Sequence, residues 1–437
     1  MNMEEQNFQT VADVARAYLC CSCGACQAVC PVNAIDLKET PGGYLFPVIE
    51  GDLCTHCGQC LKCCAGIKVT DNPVSVLPRD PFEGNILDCR VGKATDTEVY
   101  ERSQSGGALS AVVLSLIEAK KISGATLVAL ERKSPPRPSL RITGNRGDIL
   151  QAQGSKYCPA PLLSLFRSIR EADKPVAFVG LSCHVHGLYN LFEMFPDLRP
   201  KVELILGLVC DRILTFRAID YLMRLGKISE GREVLFQYRS KELQGYPGDV
   251  RIDPGDGPAI FVSKKERIRI KDFYTPARCR LCFDKMNVLS DLTFSDPHGI
   301  QEVDRKGGES LIIARSAAGS EALSRVVDAG KLTLRDVRPH QVLTGQNIDK
   351  KREDFYGNCT QWLAMGKTLP KQAEAVYRKL EYATPDPVHR ENINLALALD
   401  TFQSGDALYR HARKWLRKRR RVKKAKQILR PFFRKRT

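Results

Sequence analysis

At 437 residues the chain has room for two or three domains, and its 43% hydrophobic and 27% charged content is ordinary for a folded globular protein. Its longest aliphatic stretch, Ala108 to Ile117, falls short of the roughly 20 residues a membrane span needs, which excludes an integral membrane helix. The formal charge of +17 is local: Arg410 to Thr437 holds 15 Lys/Arg and no acidic residue, leaving +2 for everything else.

Met1 to Thr10 carries Glu4 and Glu5 and neither a basic nor an apolar leader, so the sequence predicts a cytoplasmic protein. In that compartment 17 cysteines argue for metal ligation or redox work rather than disulfides, and ten of them fall between Cys20 and Cys64.

Residues 17–70 hold two cysteine runs of one spacing. Cys20, Cys23, Cys26 and Cys30 follow C-x2-C-x2-C-x3-C and precede Pro31, and Cys54, Cys57, Cys60 and Cys64 repeat the pattern. This is the register of bacterial ferredoxins with two 4Fe–4S clusters, in which the fourth cysteine of each run ligates the other cluster. It assigns Cys20, Cys23, Cys26 and Cys64 to one cluster and Cys54, Cys57, Cys60 and Cys30 to the other. A pair of zinc sites is the competing reading, and zinc rarely uses eight thiolates in a doubled register. Cys21 and Cys63 fall outside the register and read as bystanders.

Residues 71–95, with Pro73, Pro78, Pro81 and Gly84, read as a linker. Residues 96–345 alternate helical and strand patterns. Ser105-Gly106-Gly107 opens a helical spacing through Leu109, Val112, Val113, Leu116 and Ile117. Apolar runs at Ala125–Leu130, Val176–Val179, Val202–Val209, Leu292–Phe294 and Leu311–Ala314 suit strands buried on both faces. The expected fold is a mixed α/β domain, preceded by a small ferredoxin-like domain and followed by helices.

Residues 346–405 read as a helical region and 406–437 as a basic amphipathic tail. In the tail Leu408, Ala412, Trp415, Val422, Ala425 and Leu429 recur at helical steps, with Phe432 and Phe433 beyond Pro431. An anionic membrane surface supplies about 1 kcal/mol per nearby Lys/Arg, so five engaged side chains would give about 5 kcal/mol. The aromatic residues favour this inner-face peripheral attachment over nucleic acid, which needs only the charges, and over a solvated tail.

A cluster carries one electron at a time, and flavin is the usual converter to hydride chemistry. Gln104, Ser105, Gly106 and Gly107 lead into a helix whose exposed N–H groups suit a phosphate. Here the chain resembles a family. Arg102-Ser103-Gln104-Ser105-Gly106-Gly107-Ala108 with Ile122-Ser123-Gly124-Ala125 is similar to the opening block of the coenzyme F-420 hydrogenase/dehydrogenase beta-subunit family. Further blocks follow in family order: Gly154-Ser155-Lys156-Tyr157, Phe178 to His184, Gly207 to Cys210, Cys279 to Lys285 with Asp291 to Asp296, and Gly308 to Ile312. The resemblance departs from the family pattern at Ser182 and Ser295.

The resemblance implies an FAD-binding iron–sulfur oxidoreductase that exchanges a hydride with the deazaflavin coenzyme F-420 and trades electrons with a redox partner protein or ferredoxin. It also implies a use for Cys183, Cys210, Cys279 and Cys282, each in a family block, as ligands of a third 4Fe–4S cluster. Lys156 becomes a candidate contact to an anionic group of the flavin, and Asp284, Asp296 and His298 become candidates for catalytic proton handling. Two other functions compete: an electron-transfer component of a larger complex, and a ferredoxin-dependent reductase of a tetrapyrrole or lipid-linked substrate.

Overall fold

The computed structural model describes residues 8–382, 384–402 and 404–433, with side-chain surroundings as far as residue 421. The cysteine-rich module is a short antiparallel hairpin, β1 (Ile35–Glu39) and β2 (Leu45–Ile49), with the helices Ala25–Val29 and Gln59–Lys62 following its two cysteine loops. The body is built on strands β3 (Asp88–Ala94), β4 (Gly124–Leu130), β5 (Pro138–Thr143), β6 (Val176–Leu181), β7 (Val202–Leu208), β8 (Leu235–Ser240), β9 (Asp249–Asp253), β10 (Ile260–Val262), β11 (Leu292–Ser295), β12 (Ser310–Ala314) and β13 (Leu332–Asp336).

Eight of these form one sheet in the order β13-β3-β12-β11-β7-β6-β4-β5. Its centre, β11-β7-β6-β4, is parallel, and antiparallel strands flank it on both sides. Every expected apolar run is a strand of this sheet. Alternation along β12 shows why: Leu311 and Ile313 enter one core, while Ile312 and Ala314 enter the core on the opposite face. The helix Ala108–Glu118 covers the second face, and the helix Ser182–Met194, leaving β6, covers the first.

The cysteine-rich module packs into that first face. Leu163 N–H donates to the Cys23 carbonyl at 2.8 Å, and Arg167 donates to the carbonyls of Ala28 and Cys30 at 2.9 and 2.8 Å. Asn190, buried on the helix Ser182–Met194, donates to the Cys63 carbonyl at 3.2 Å and accepts from Thr70 N–H at 2.6 Å.

Residues 71–95 are not a free linker. Phe82 is 1% exposed and meets Phe355 edge-on at 5.6 Å, and Arg352 pairs with Asp80 and Glu83. Proline and glycine mark turns here, but one buried aromatic ring fixes the segment to the helix Ile348–Ala364.

Strands β8, β9 and β10 form a separate antiparallel sheet with its own core. The basic helix Gly405–Phe433 caps that core. Leu408 and Ala412 are buried in it, and Trp415 meets Phe273 edge-on at 5.5 Å. These three positions of the expected membrane face are therefore spent on folding. The side chains of Val422, Ala425, Leu429, Phe432 and Phe433 lie outside the described residues. Among the described residues no helix is long and apolar enough to cross a membrane.

Candidate redox site

The two N-terminal cysteine loops are built alike. Ser22 and Gly24 have φ of 55° and 86°, and His56 and Gly58, each 34 positions on, have φ of 53° and 73°. Left-handed residues at matching places curl each loop so that backbone N–H groups face inward, as an anionic cluster requires. Within the first loop Ser22 N–H donates to Cys20 Sγ at 3.3 Å, and beyond the following helix Ala34 N–H donates to Cys30 Sγ at 3.2 Å.

Burial, then the charges of Cys26 and Cys64, push the Cys20 thiol well up, and burial followed by the charge of Cys23 raises Cys64. Cys20, Cys23, Cys26 and Cys64 thus lie within electrostatic reach of one another, in company with Cys21, Cys60 and Cys63. The other run lies nearer the surface, with Cys57 exposed and Cys54 and Cys60 half-buried. Cys63, outside the register, is buried; its thiol donates to the Cys60 carbonyl at 3.3 Å, and it bears on Cys26.

A second set forms in the body. β6 and β7 are parallel neighbours, so the chain leaving each at its carboxyl end brings Cys183 and Cys210 to the same edge of the sheet. Cys210 N–H donates to the Lys285 carbonyl at 2.9 Å, which ties it to the loop after Cys279 and Cys282. Burial, then Cys279 and Cys282, push the Cys210 thiol well up. Four half-buried thiols, among which Cys210 is raised by Cys279 and Cys282 and Cys183 by Cys210 and Cys279, suit a cationic centre, which would accept them all as thiolates. Among the described residues no three Cys, His, Asp or Glu side chains close on a single-ion position, whereas a cubane several ångström wide needs wider spacing.

Cys21, outside the register, bears on thiols of both sets, Cys20, Cys23 and Cys64 on one side and Cys183, Cys279 and Cys282 on the other. Its thiol lies close to Cys183, and that neighbour, with nearby Arg278 and His186, draws it down despite burial. It stands between the N-terminal set and the body set, a position that its place in the sequence does not reveal.

Beside the body set lies a cavity of about 630 Å³, and Cys210 is part of its wall. Gln104, Ser105, Gly107 and Lys156 line it, as expected. Gln104 Oε1 accepts from Ser155 N–H at 2.8 Å, which joins the loop before the helix Ala108–Glu118 to the Lys156 segment. Gly107 has φ of 73°, a turn that favours glycine. Lys156 Nζ donates to the carbonyls of Ala152 and Gln153, and burial pulls its ammonium down to about 7.

Gly106 does not line the cavity. Its N–H is spent on Ser310 Oγ at 3.1 Å, and a Cβ there would strike the Gly92 carbonyl of β3, so its role is close packing rather than ligand contact.

Of the three expected proton-handling residues, Asp296 and His298 line the cavity and Asp284 does not. Asp284 is 1% exposed; its carboxylate faces His186 Nε2 at 3.0 Å and accepts from Val288 N–H at 3.0 Å. It is a core group bracing the Cys282 loop, with no route to a substrate. His298 is exposed, and desolvation lowers its pKa against the opposing pull of Asp296.

The cavity wall is cationic in a way that no local motif announces. Lys156, Arg212, Arg239, Arg267, Lys271 and Lys285 face Asp211 and Asp296 across it. Arg239 and Arg267 are both buried, and Arg239 Nη2 and Arg267 Nε have no protein partner. A buried N–H without an acceptor is costly, so these two guanidinium groups fit an anionic ligand such as a pyrophosphate. Arg239 is on β8 and Arg267 on the helix Lys264–Arg269 that follows β10, where each reads in sequence as an ordinary surface arginine.

Two family models match consecutive stretches of the chain. Both describe the beta subunit of coenzyme F-420 hydrogenase/dehydrogenase: its N-terminal part matches residues 89–167, and its C-terminal part matches residues 173–340. A component of the F(420)H(2) dehydrogenase of Methanosarcina mazei is 24% identical over 375 residues, covering 80% of this chain and 96% of its own. Ferredoxin-1 of Rhodobacter capsulatus is 43% identical over 63 residues, 13% of this chain and 83% of its own. A chain from the F-420-reducing NiFe hydrogenase complex of Methanosarcina barkeri shares the fold, with a TM-score of 0.50 at 21% identity over 66% of this chain and 97% of that one.

Proposed function

The chain belongs to the coenzyme F-420 hydrogenase/dehydrogenase beta-subunit family and carries a ferredoxin-type iron–sulfur domain, and from that premise we propose that it is a flavin-dependent electron-transfer oxidoreductase acting on a deazaflavin. The observation that carries this reading is that Cys210 belongs both to the body thiol set and to the wall of the cationic cavity. A redox cofactor in that cavity would lie against the cluster ligands, with no intervening secondary structure.

FAD, when bound, would supply the exchange between hydride and single electrons that iron–sulfur clusters lack. Gln104, Ser105 and Gly107 would hold it at one side, and Lys156, Arg239 and Arg267 would neutralise its phosphates. Asp296, fixed by Arg239 at 2.6 Å, and the exposed His298 stand where the cavity meets solvent and can pass a proton outward. Cys20, Cys23, Cys26 and Cys64 would hold a cluster in the interior. Cys54, Cys57, Cys60 and Cys30 would hold one near the surface, where exposed Cys57 marks the docking point for a redox partner protein.

Anaerobic purification with flavin and iron quantified tests the reading, followed by reduction of the bound flavin with a reduced deazaflavin. One FAD per chain, bleached by the deazaflavin and reoxidised by a one-electron acceptor, is the expected result. A chain that binds no flavin after reconstitution ends it.

A further inference from the structure

Arg278 is 6% exposed and sits one residue before Cys279. Its Nη1 donates to the Leu281 carbonyl at 3.4 Å, inside the Cys279–Cys282 loop. Its Nη2 donates to the carbonyl of Ala65, the residue after Cys64, at 3.3 Å. The guanidinium therefore touches the ligand loops of both the body set and the N-terminal interior set. Its Nε has no partner, and among the described residues no carboxylate lies within ion-pair distance of it. The negative groups that bear on it are thiols: Cys21, Cys282, Cys183 and Cys279.

A buried arginine with no carboxylate, and with Nε–H lacking any acceptor, needs another acceptor. We propose that Arg278 sets the reduction potential of the cluster that Cys183, Cys210, Cys279 and Cys282 would hold. The proposal rests on the third-cluster reading. Taking up one electron makes the four-thiolate group one unit more negative. A guanidinium cannot release its proton, so its positive charge stands ready for that state at every working pH. Arg278 thus makes this cluster the better electron acceptor toward a redox group in the cavity. Lys351 also bears on Cys210 and Cys282, but its ammonium already faces Asp211 at 3.9 Å.

The site favours a clean test. Gln372 Nε2 donates to the same Ala65 carbonyl at 3.0 Å, so that carbonyl keeps a donor when Arg278 is changed. The full chain is purified anaerobically as wild type, R278Q and R278K, its iron counted, and each cluster titrated by electron paramagnetic resonance against a dithionite-poised potential. With iron unchanged, R278Q should shift one cluster's midpoint downward by about tenfold in electron affinity, roughly 59 mV for a one-electron couple. R278K should recover part of the shift, the N-terminal interior midpoint should move less, and the surface one should stay put. Unmoved midpoints at full iron, or an equal shift of every signal, overturn the proposal. Loss of one cluster's iron in both variants makes Arg278 purely structural and also overturns it. A wild-type count of about eight irons rather than twelve defeats the third-cluster reading itself, a separate and recognisable failure.

Discussion

Arg239 Nη1 lies 2.6 Å from Asp296 Oδ2, across the gap between the three-stranded sheet and the end of β11. The contact joins two parts of the body that share no strand pairing, and it sits on the cavity wall. Nε of the same guanidinium donates to the Pro247 carbonyl at 2.8 Å, so the group is held on two sides while Nη2 stays unpartnered. A cation fixed this way is set before any ligand arrives, and little ordering cost remains to be met on binding.

Arg239→Gln should therefore weaken flavin binding more than a typical surface change. A hydrogen bond to a charged group contributes roughly 1.5–3 kcal/mol, about a ten- to hundredfold loss of affinity. Fluorescence titration of FAD into the deflavinated chain measures it. Affinity equal to wild type would remove Arg239 from the ligand site.

The cysteine sets make a sharper prediction. Intact chain should hold about twelve irons, and Cys279→Ser with Cys282→Ser should lower this to about eight while leaving the ferredoxin-type signals. Cys57→Ser, at an exposed ligand, should disturb only the surface cluster. If the double variant keeps its full iron, the four body cysteines are ordinary buried thiols.

How far the sequence could be read follows from how local each feature is. The ferredoxin-type module was legible because its cysteine spacing is local, within loops a few residues long. The strands were legible because burial on both faces leaves unbroken apolar runs. Arg239, Arg267, Arg278 and Cys21 were not, since each acquires its role from segments tens to hundreds of residues away. Asp284 was misread for the converse reason: it stands in a family block, yet its loop turns the carboxylate toward His186 in the core. Gly106 likewise sits in a phosphate-like motif but gives its N–H to Ser310, some two hundred residues on.

Lys156 carries a pH signature. Burial holds its folded pKa at about 7, below the ordinary 10.5. Between those values the unfolded chain binds a proton that the folded chain does not, so this residue's contribution to stability rises with pH across the window. Below about pH 7 both states are protonated and the full burial penalty acts. Lys156→Met removes the penalty, so it should raise the melting temperature most at pH 6 and progressively less toward pH 10. Melting curves of the flavin-free chain that run parallel across that range would show that the amine is solvated.

The basic helix makes the last prediction, because two accounts of it differ in what Leu408 does. On a membrane, Leu408 would be free until lipid arrives, and its removal would cost binding and little stability. In the fold it is 1% exposed within the core of the β8–β10 sheet, beside Ala412 and one helical face from Trp415. Arg419 stacks on Trp415 at 4.6 Å and pairs with Asp272 at 2.7 Å, so even a basic residue of this stretch is engaged with the body. Leu408→Ala should thus destabilise the chain by about 2–4 kcal/mol, the usual cost of emptying a buried leucine site. Charge reversal at exposed Arg417 and Lys418 should change stability by no more than about 0.5 kcal/mol. Denaturation of both variants, with co-sedimentation on anionic and neutral vesicles, separates the accounts. A stable Leu408→Ala chain that has lost vesicle binding would return the helix to the membrane.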